Sequence, residues 1–128
     1  MSSMGVKIMV VDDSALSRRM MRRILEDAGY VVIEEADGAT ALTLYPVQKP
    51  AIVMLDLIMT GMYGLQVLLA VRGIDPEARV IIASADLQRA TQNEVKEAGA
   101  AGFVIKPFSA PDVLRTVEKV LSDGSSWS

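Results

Sequence analysis

Short apolar runs alternate along the chain with longer segments in which apolar residues recur every three or four positions. The runs typical of buried strands are 7–11, 30–33, 51–57, 80–83 and 102–105. A segment with helical periodicity follows each of them, and 14–28 is the clearest. This alternation predicts an α/β fold with five parallel strands and helices on both faces of the sheet. Strands that are apolar almost throughout fit burial on both faces.

Capping residues and prolines set the expected ends of several helices. Asp37 opens a short helix over 39–45, which Pro46 is expected to end or kink. The last helix is expected to begin at Ser109, with Pro111 in its first turn.

The length of 128 residues fits one hydrophobic core and one domain. We expect this domain to span 1–121, and the Ser- and Gly-rich residues 122–128 to be a flexible tail or the start of a linker. No stretch approaches the roughly 20 apolar residues of a membrane span. The amino terminus also lacks a basic region followed by an apolar one. The sequence therefore predicts a cytoplasmic protein without membrane insertion.

Charge and missing residue types restrict the chemistry. A net charge of −3 argues against direct nucleic-acid binding through bulk charge. The chain contains neither cysteine nor histidine. Disulfides, thiolate and histidine metal sites and the Ser-His-Asp triad are thereby excluded. Carboxylates, lysine and hydroxyl groups remain as the reactive side chains.

Polar side chains stand at the carboxyl ends of four predicted strands. Asp12 and Asp13 follow the first strand, Asp56 the third, Ser84 the fourth and Lys106 the fifth. Ligands of open α/β sheets bind at this edge. Carboxylates that meet there repel each other unless a cation is bound, and all-oxygen ligands favour a hard ion such as Mg²⁺. A lysine and a hydroxyl beside that ion would suit a bound phosphoryl group.

Each of these residues also has a structural interpretation. An Asp pair before a helix can act as its cap, a serine can belong to a turn, and a lysine can end a strand. Asp56 is harder to explain in this way, because an acid within an apolar strand is costly unless it serves a site. Because complementary polar residues stand at the ends of four strands together, the sequence favours a functional site over four independent structural roles.

The pattern of DD at 12–13, D at 56 within MLDLIM, SA at 84–85 and KP at 106–107 resembles the receiver domain of two-component response regulators, the CheY-like type especially. The resemblance spans residues 6–121. It implies the flavodoxin-like strand order 2-1-3-4-5. It also implies a phosphoprotein switch, of chemotaxis or of another pathway, that catalyses only its own phosphorylation and dephosphorylation.

The resemblance further implies a role for each site residue. Asp56 would accept a phosphoryl group from a phosphohistidine on a separate sensor histidine kinase or phosphotransfer protein. Asp13 and Asp56 would bind Mg²⁺, with Mn²⁺ as a substitute, together with the backbone carbonyl of Ile58. Asp12 would act through a metal-bound water.

On the same resemblance, Lys106 and Ser84 would contact the phosphoryl oxygens, and Ser84 and Phe103 would form the switch. The fourth helix, fifth strand and fifth helix would bind a protein target. The chain would be a monomer or a phosphorylation-dependent dimer.

The sequence departs from the family pattern after the acceptor strand. Thr60 stands where a proline is common and Tyr63 where an acid would cap the next helix, so a looser loop is expected. Ile58 replaces a residue that is commonly polar. Since its side chain would lie near the path of a hydrolytic water, slow self-dephosphorylation is expected.

Four other interpretations stay open at this point. The chain could be the receiver part of a longer response regulator, or a pseudo-receiver that is not phosphorylated. A haloacid-dehalogenase-like phosphatase would use Asp56 and Thr60, but Ile58 occupies the place of its second acid. A flavodoxin-like FMN binder would need a Ser/Thr/Gly-rich loop after the first strand, where this chain is acidic.

Overall fold

Ten elements alternate along the chain in the computed structural model, which describes residues 5–127. They are β1 (Lys7–Val11), α1 (Ala15–Asp27), β2 (Val31–Glu35), α2 (Gly38–Gln48), β3 (Ile52–Asp56), α3 (Gly64–Ile74), β4 (Val80–Ser84), α4 (Arg89–Glu97), β5 (Gly102–Ile105) and α5 (Ala110–Asp123). The strands are parallel and lie in the order β2-β1-β3-β4-β5. This confirms the predicted α/β class and the strand order. Among residues 5–127 no helix is long and apolar enough to cross a bilayer.

The sheet is buried on both faces because successive strand residues point to opposite sides. On one face the strand side chains pack against α2, α3 and α4, where Tyr45, Leu68 and Val95 are buried. On the other face they pack against α1 and α5, where Leu25 and Val117 are buried. These two apolar layers fix the strand ends, and with them the polar residues at the carboxyl edge.

Helix α2 does not end at Pro46, although an end there was one of the two outcomes expected from the sequence. It continues to Gln48, and Lys49 ends it in the left-handed region at φ 49°. The backbone N–H of Lys49 donates to the carbonyl of Tyr45 at 2.9 Å. A proline so near the carboxyl end removes a single helical hydrogen bond, and the buried Tyr45 side chain holds this turn against the core.

The described part of the expected flexible tail is folded. Helix α5 extends to Asp123, so the expected domain boundary after residue 121 falls inside a helix. Beyond Gly124, the N–H of Ser126 donates to the carbonyl of Ala101 at 2.8 Å. The indole N–H of Trp127 donates to the carbonyl of Ala100 at 2.7 Å. The Ser- and Gly-rich composition concealed this packing.

Gly64 allows α3 to begin directly behind the end of β3. Its N–H donates to the carbonyl of Leu57 at 2.7 Å. A Cβ at this position would lie 2.5 Å from the carbonyl oxygen of Asp56 and 2.8 Å from that of Leu57. Since both atoms belong to the backbone, neither can turn away. The absent side chain therefore helps to define where Asp56 lies.

We expect Gly64→Ala to lower the free energy of unfolding by about 1–3 kcal/mol, because the added methyl group overpacks the β3–α3 connection. Urea denaturation monitored by circular dichroism measures the change. Gly73→Ala in the same helix is the matched control, since its Cβ would meet nothing within 4 Å. The control should raise stability by about 0.5–1 kcal/mol through helix propensity. Equal stability of the two variants would contradict the close approach.

Candidate functional site

Three carboxylates meet at the carboxyl edge of the sheet. Asp12 and Asp13 follow β1, and Asp56 is the last residue of the neighbouring strand β3. One carboxylate oxygen from each lies within 4.8 Å of the others. Asp12 and Asp56 are buried, with exposed fractions of 4% and 8%, whereas Asp13 is exposed. The cluster thus has a buried floor and one carboxylate at its rim.

Lys106 supplies the positive charge of this cluster. It follows β5, and its Nζ atom lies 3.0 Å from Asp12 Oδ2 and 3.0 Å from Asp56 Oδ1. Burial opposes the charge on the lysine, but hydrogen bonds to Asp12 and Asp56 outweigh it and raise the pKa of the ammonium group. A single cation therefore bridges the two buried carboxylates.

The negative charge of Asp56 is compensated only in part by its surroundings. Burial raises the pKa of its carboxyl group, and the hydrogen bond from Lys106 opposes this shift only in part. The negative charges of Asp12 and Asp13 raise the pKa of Asp56 further. A second cation in the cluster would relieve this repulsion.

Asp12 is held from both sides. Its Oδ1 atom accepts a hydrogen bond from the N–H of Ser14 at 2.9 Å, which leaves Oδ2 for Lys106. The guanidinium of Arg18 donates to the backbone carbonyl of Asp12 at 2.6 Å. Asp12 therefore combines the structural and the functional interpretations: it orders the turn into α1 and lines the site.

Thr60 is a site residue that the sequence reasoning missed. Its N–H and its hydroxyl donate to Asp13 Oδ2 at 2.8 and 3.0 Å. The backbone hydrogen bond from Thr60 is the largest cause of a lowered pKa of the Asp13 carboxyl group, and the hydroxyl hydrogen bond is the second. A proline here could donate neither bond. Thr60 thus connects the loop that follows β3 to the acidic cluster, although a looser loop was expected. The replacement of a common proline by Thr60 was the feature of the sequence that could have indicated this contact.

The other expected site residues lie around this cluster at different depths. Ser84 is the buried last residue of β4, and its hydroxyl accepts a hydrogen bond from the N–H of Asp86 at 3.0 Å. The side chain of Ile58 is 66% exposed, two residues after Asp56. Phe103, in β5, is half-buried against the apolar layer that includes Val95, so it lies in the core rather than among the carboxylates.

The donor set fits a hard divalent cation. Every side chain in the cluster offers oxygen, and two of the three carboxylates are buried. Oxygen donors of this kind suit Mg²⁺ or Mn²⁺ rather than the softer transition metals. In the part of the chain that the structure describes, no buried side-chain nitrogen or oxygen lacks a hydrogen-bond partner, so the site is internally satisfied through Lys106.

An open α/β sheet with an acidic cluster, a lysine and a hydroxyl at its carboxyl edge defines a phosphoryl-accepting signalling domain. The family model of the response regulator receiver domain matches residues 8–118. The chain is 39% identical over 118 residues to the chemotaxis protein CheY of Thermotoga maritima, covering 91% of this chain and 98% of that protein. The chain belongs to the response regulator receiver domain family.

Solved structures agree with this assignment. The chemotaxis protein CheY4 of Vibrio cholerae superposes with a TM-score of 0.86 at 32% identity, over 92% of this chain and 99% of that one. A CheX–CheY–BeF3–Mg²⁺ complex from Borrelia burgdorferi gives a TM-score of 0.87 at 30% identity, over 91% of this chain and 90% of that one. The protein is therefore a two-component receiver domain, a phosphorylation-activated signalling switch. Members of this family are generally not enzymes. Receiver domains bind Mg²⁺ at an acidic cluster such as this one.

We expect the stability of Asp56→Asn relative to the wild type to grow as the pH rises. The raised pKa means that folded Asp56 binds its proton more tightly than the unfolded chain does. Its contribution is therefore most favourable below the ordinary carboxyl pKa of 3.8 and is lost as the pH rises through the folded pKa. Denaturation series between acid and neutral pH, without divalent cations, measure the difference.

Glu118→Gln replaces an exposed carboxyl group on α5 and serves as the control. Its stability should stay close to that of the wild type across the series. An Asp56→Asn difference that stays constant or shrinks with rising pH would contradict the uncompensated charge at Asp56.

Proposed function

We propose that Asp56 accepts a phosphoryl group from a phosphohistidine donor, and that the modified domain changes its binding to a protein target. The observation that carries this proposal is the position of the Asp56 carboxylate, buried at the end of β3 and 3.0 Å from the Lys106 ammonium. These 128 residues contain no histidine, so the phosphohistidine would lie outside them, on a sensor histidine kinase or a histidine phosphotransfer protein.

In the transfer, a carboxylate oxygen of Asp56 forms a bond to phosphorus while the bond from phosphorus to the imidazole nitrogen of the donor breaks. The electron pair of that bond returns to the imidazole. Asp12, Asp13, Asp56 and the Ile58 carbonyl would hold Mg²⁺, or Mn²⁺ in its place. The metal would supply positive charge to the carboxylates and to the phosphoryl oxygens.

Two residues of this chain would respond to the new group. The Lys106 ammonium, which bridges Asp12 and Asp56, would move its hydrogen bonds to the phosphoryl oxygens. The hydroxyl of Ser84, which accepts from the N–H of Asp86, would donate its own hydrogen to another of these oxygens. Both residues border β5, so the change would reach Phe103 and the surface formed by α4, β5 and α5.

The Borrelia burgdorferi complex supports this assignment, since it brings a CheY together with CheX, BeF3 and Mg²⁺. For this chain we infer a cytoplasmic switch that binds a protein target through the α4, β5 and α5 surface. We further propose that it acts without direct nucleic-acid contact, as a monomer or as a dimer formed on phosphorylation.

Incubation with acetyl phosphate and Mg²⁺ should add one acid-labile phosphoryl group to the wild type, as seen by intact-mass analysis. Asp56→Asn should gain none, and omission of Mg²⁺ should abolish the adduct because the clustered carboxylates repel the donor. Glu118→Gln, which leaves the site unchanged, should be modified like the wild type.

If no adduct formed, rapid turnover would be distinguished from an inactive site with beryllofluoride and Mg²⁺, because this mimic of the phosphoryl group occupies a competent site without being hydrolysed. Failure to trap would contradict the proposed function and favour a pseudo-receiver that acts through protein contacts alone.

We expect Ile58→Asn to shorten the lifetime of the phosphoryl group several-fold. An asparagine at this exposed position could hydrogen-bond an attacking water, which the apolar isoleucine cannot do. Loss of the adduct with time, followed by mass analysis after removal of the donor, measures the rate. Ile74→Asn is the matched control, because Ile74 is half exposed at the far end of α3. An unchanged decay rate in Ile58→Asn would contradict the role of Ile58 in slowing dephosphorylation.

A further inference from the structure

Residues 124–127, called here the C-terminal segment, pack against the start of β5. The N–H of Ser126 donates to the carbonyl of Ala101 at 2.8 Å. The indole N–H of Trp127 donates to the carbonyl of Ala100 at 2.7 Å, and its ring packs against the apolar layer on the α2–α4 side. β5 is an edge strand, so its free side is available for such pairing.

Gly102 makes this approach possible. A Cβ there would lie 2.4 Å from the hydroxyl oxygen of Ser126 and 3.4 Å from its Cβ. It would also lie 3.1 Å from a methyl group of Thr116 on α5. The backbone of β5 thus accommodates the C-terminal segment through the absence of one side chain.

The C-terminal segment lies on the surface formed by α4, β5 and α5. The ammonium of Lys96, on α4, stands 5.4 Å from the centre of the Trp127 ring, within the range of a cation–π contact. A cavity of about 320 Å³ separates the segment from the rest of this surface. Its lining includes Trp127, Phe103 of β5 and Lys119 of α5.

Helix α4 connects this segment with the acidic cluster. In the described part of the chain Val95 is the one buried residue of α4, whereas every other helix buries at least two. At its start, the carboxylate of Asp86 accepts hydrogen bonds from Gln88 and Thr91. The N–H of Asp86 in turn donates to the hydroxyl of Ser84. A helix of nine residues, about 13 Å long, therefore has the Ser84 network at one end and Trp127 at the other.

We propose that the C-terminal segment is an intramolecular ligand of the α4, β5 and α5 surface and is released when Asp56 is phosphorylated. In the resting protein it covers the start of β5 beside Phe103. A protein target that uses this part of the surface must displace it. The inference rests on the proposed function, because the release requires the phosphoryl group.

The release follows from the contacts at the two ends of α4. When the Ser84 hydroxyl donates its hydrogen to a phosphoryl oxygen, its oxygen moves toward the site and draws with it the Asp86 N–H, from which it continues to accept. The turn that holds Gln88 and Thr91 then shifts, and α4, which has Val95 as its one buried residue in the described chain, moves with it. Movement of α4 withdraws Lys96 from the indole ring and displaces Ala100, whose N–H donates to the carbonyl of Val95 and whose carbonyl accepts from the indole.

Trp127 is the only tryptophan in the chain, so its fluorescence reports the segment directly. Acrylamide quenching is measured on the full chain before and after treatment with acetyl phosphate and Mg²⁺, with intact-mass analysis of the same samples. We expect Trp127 to be protected in the resting protein and to become quenched in proportion to the phosphoryl adduct. Asp56→Asn should stay protected under both conditions.

Two variants define the released state without phosphorylation. Gly102→Ala should expose Trp127 in part, because the added methyl group meets the rotatable Ser126 hydroxyl and lies 3.1 Å from a methyl group of Thr116. Ser126→Pro should expose Trp127 by removing the N–H that donates to Ala101, and it lies outside every helix and strand, so the fold is not at risk. Gly73→Ala is the control with open space and should stay protected. Quenching of the phosphorylated wild type should reach the level of Ser126→Pro.

The outcomes separate the two proposals. An adduct that leaves Trp127 protected would overturn the release while the proposed function stands. The absence of any adduct, including a trapped one, would overturn the proposed function and the release with it. Equal quenching of resting wild type and Ser126→Pro would overturn the packing of the segment itself.

Discussion

The ion pairs of Lys106 with Asp12 and Asp56 are the interaction on which the site depends, because three carboxylates meet at the carboxyl edge of the sheet. Asp12 and Asp56 are buried, and one ammonium group, that of Lys106, lies between them. Burial first, and then the charges of Asp12 and Asp13, raise the pKa of Asp56 in spite of this cation. The resting site is therefore satisfied in its hydrogen bonds but short of positive charge, which is the condition in which a divalent cation and a phosphoryl group would bind together.

The rest of the fold holds that edge in place. Two apolar layers fix the strands, so the ends of β1, β3, β4 and β5 cannot drift apart. Gly64 lets α3 start against the backbone of Asp56, and Thr60 ties the same loop to Asp13 through two hydrogen bonds. The well-packed strand ends thus carry the acidic cluster, while α4 has Val95 as its one buried residue in the described part of the chain.

The sequence predicted the parts of this protein whose cause is local or periodic. Alternating apolar runs and helical segments predicted every strand and helix, and the polar residues after the runs predicted the cluster of Asp12, Asp13, Asp56 and Lys106. The sequence was a poor guide where contacts between residues far apart in the chain determine the local structure. Pro46 lies inside a helix because Tyr45 is anchored in the core, and Ser126 and Trp127 pack on β5 although their composition suggests a flexible tail.

The sequence by itself determined the fold class, the edge at which the site lies and the kind of chemistry available, because periodicity, the polar residues after the strands and the absence of histidine and cysteine are properties of the chain. The strand order was implied by the family resemblance. Only the tertiary structure decided that Lys106 bridges two carboxylates, that Thr60 holds Asp13 and that Trp127 covers the start of β5. These contacts join residues far apart in the chain, and their distances follow from packing rather than from neighbouring residues.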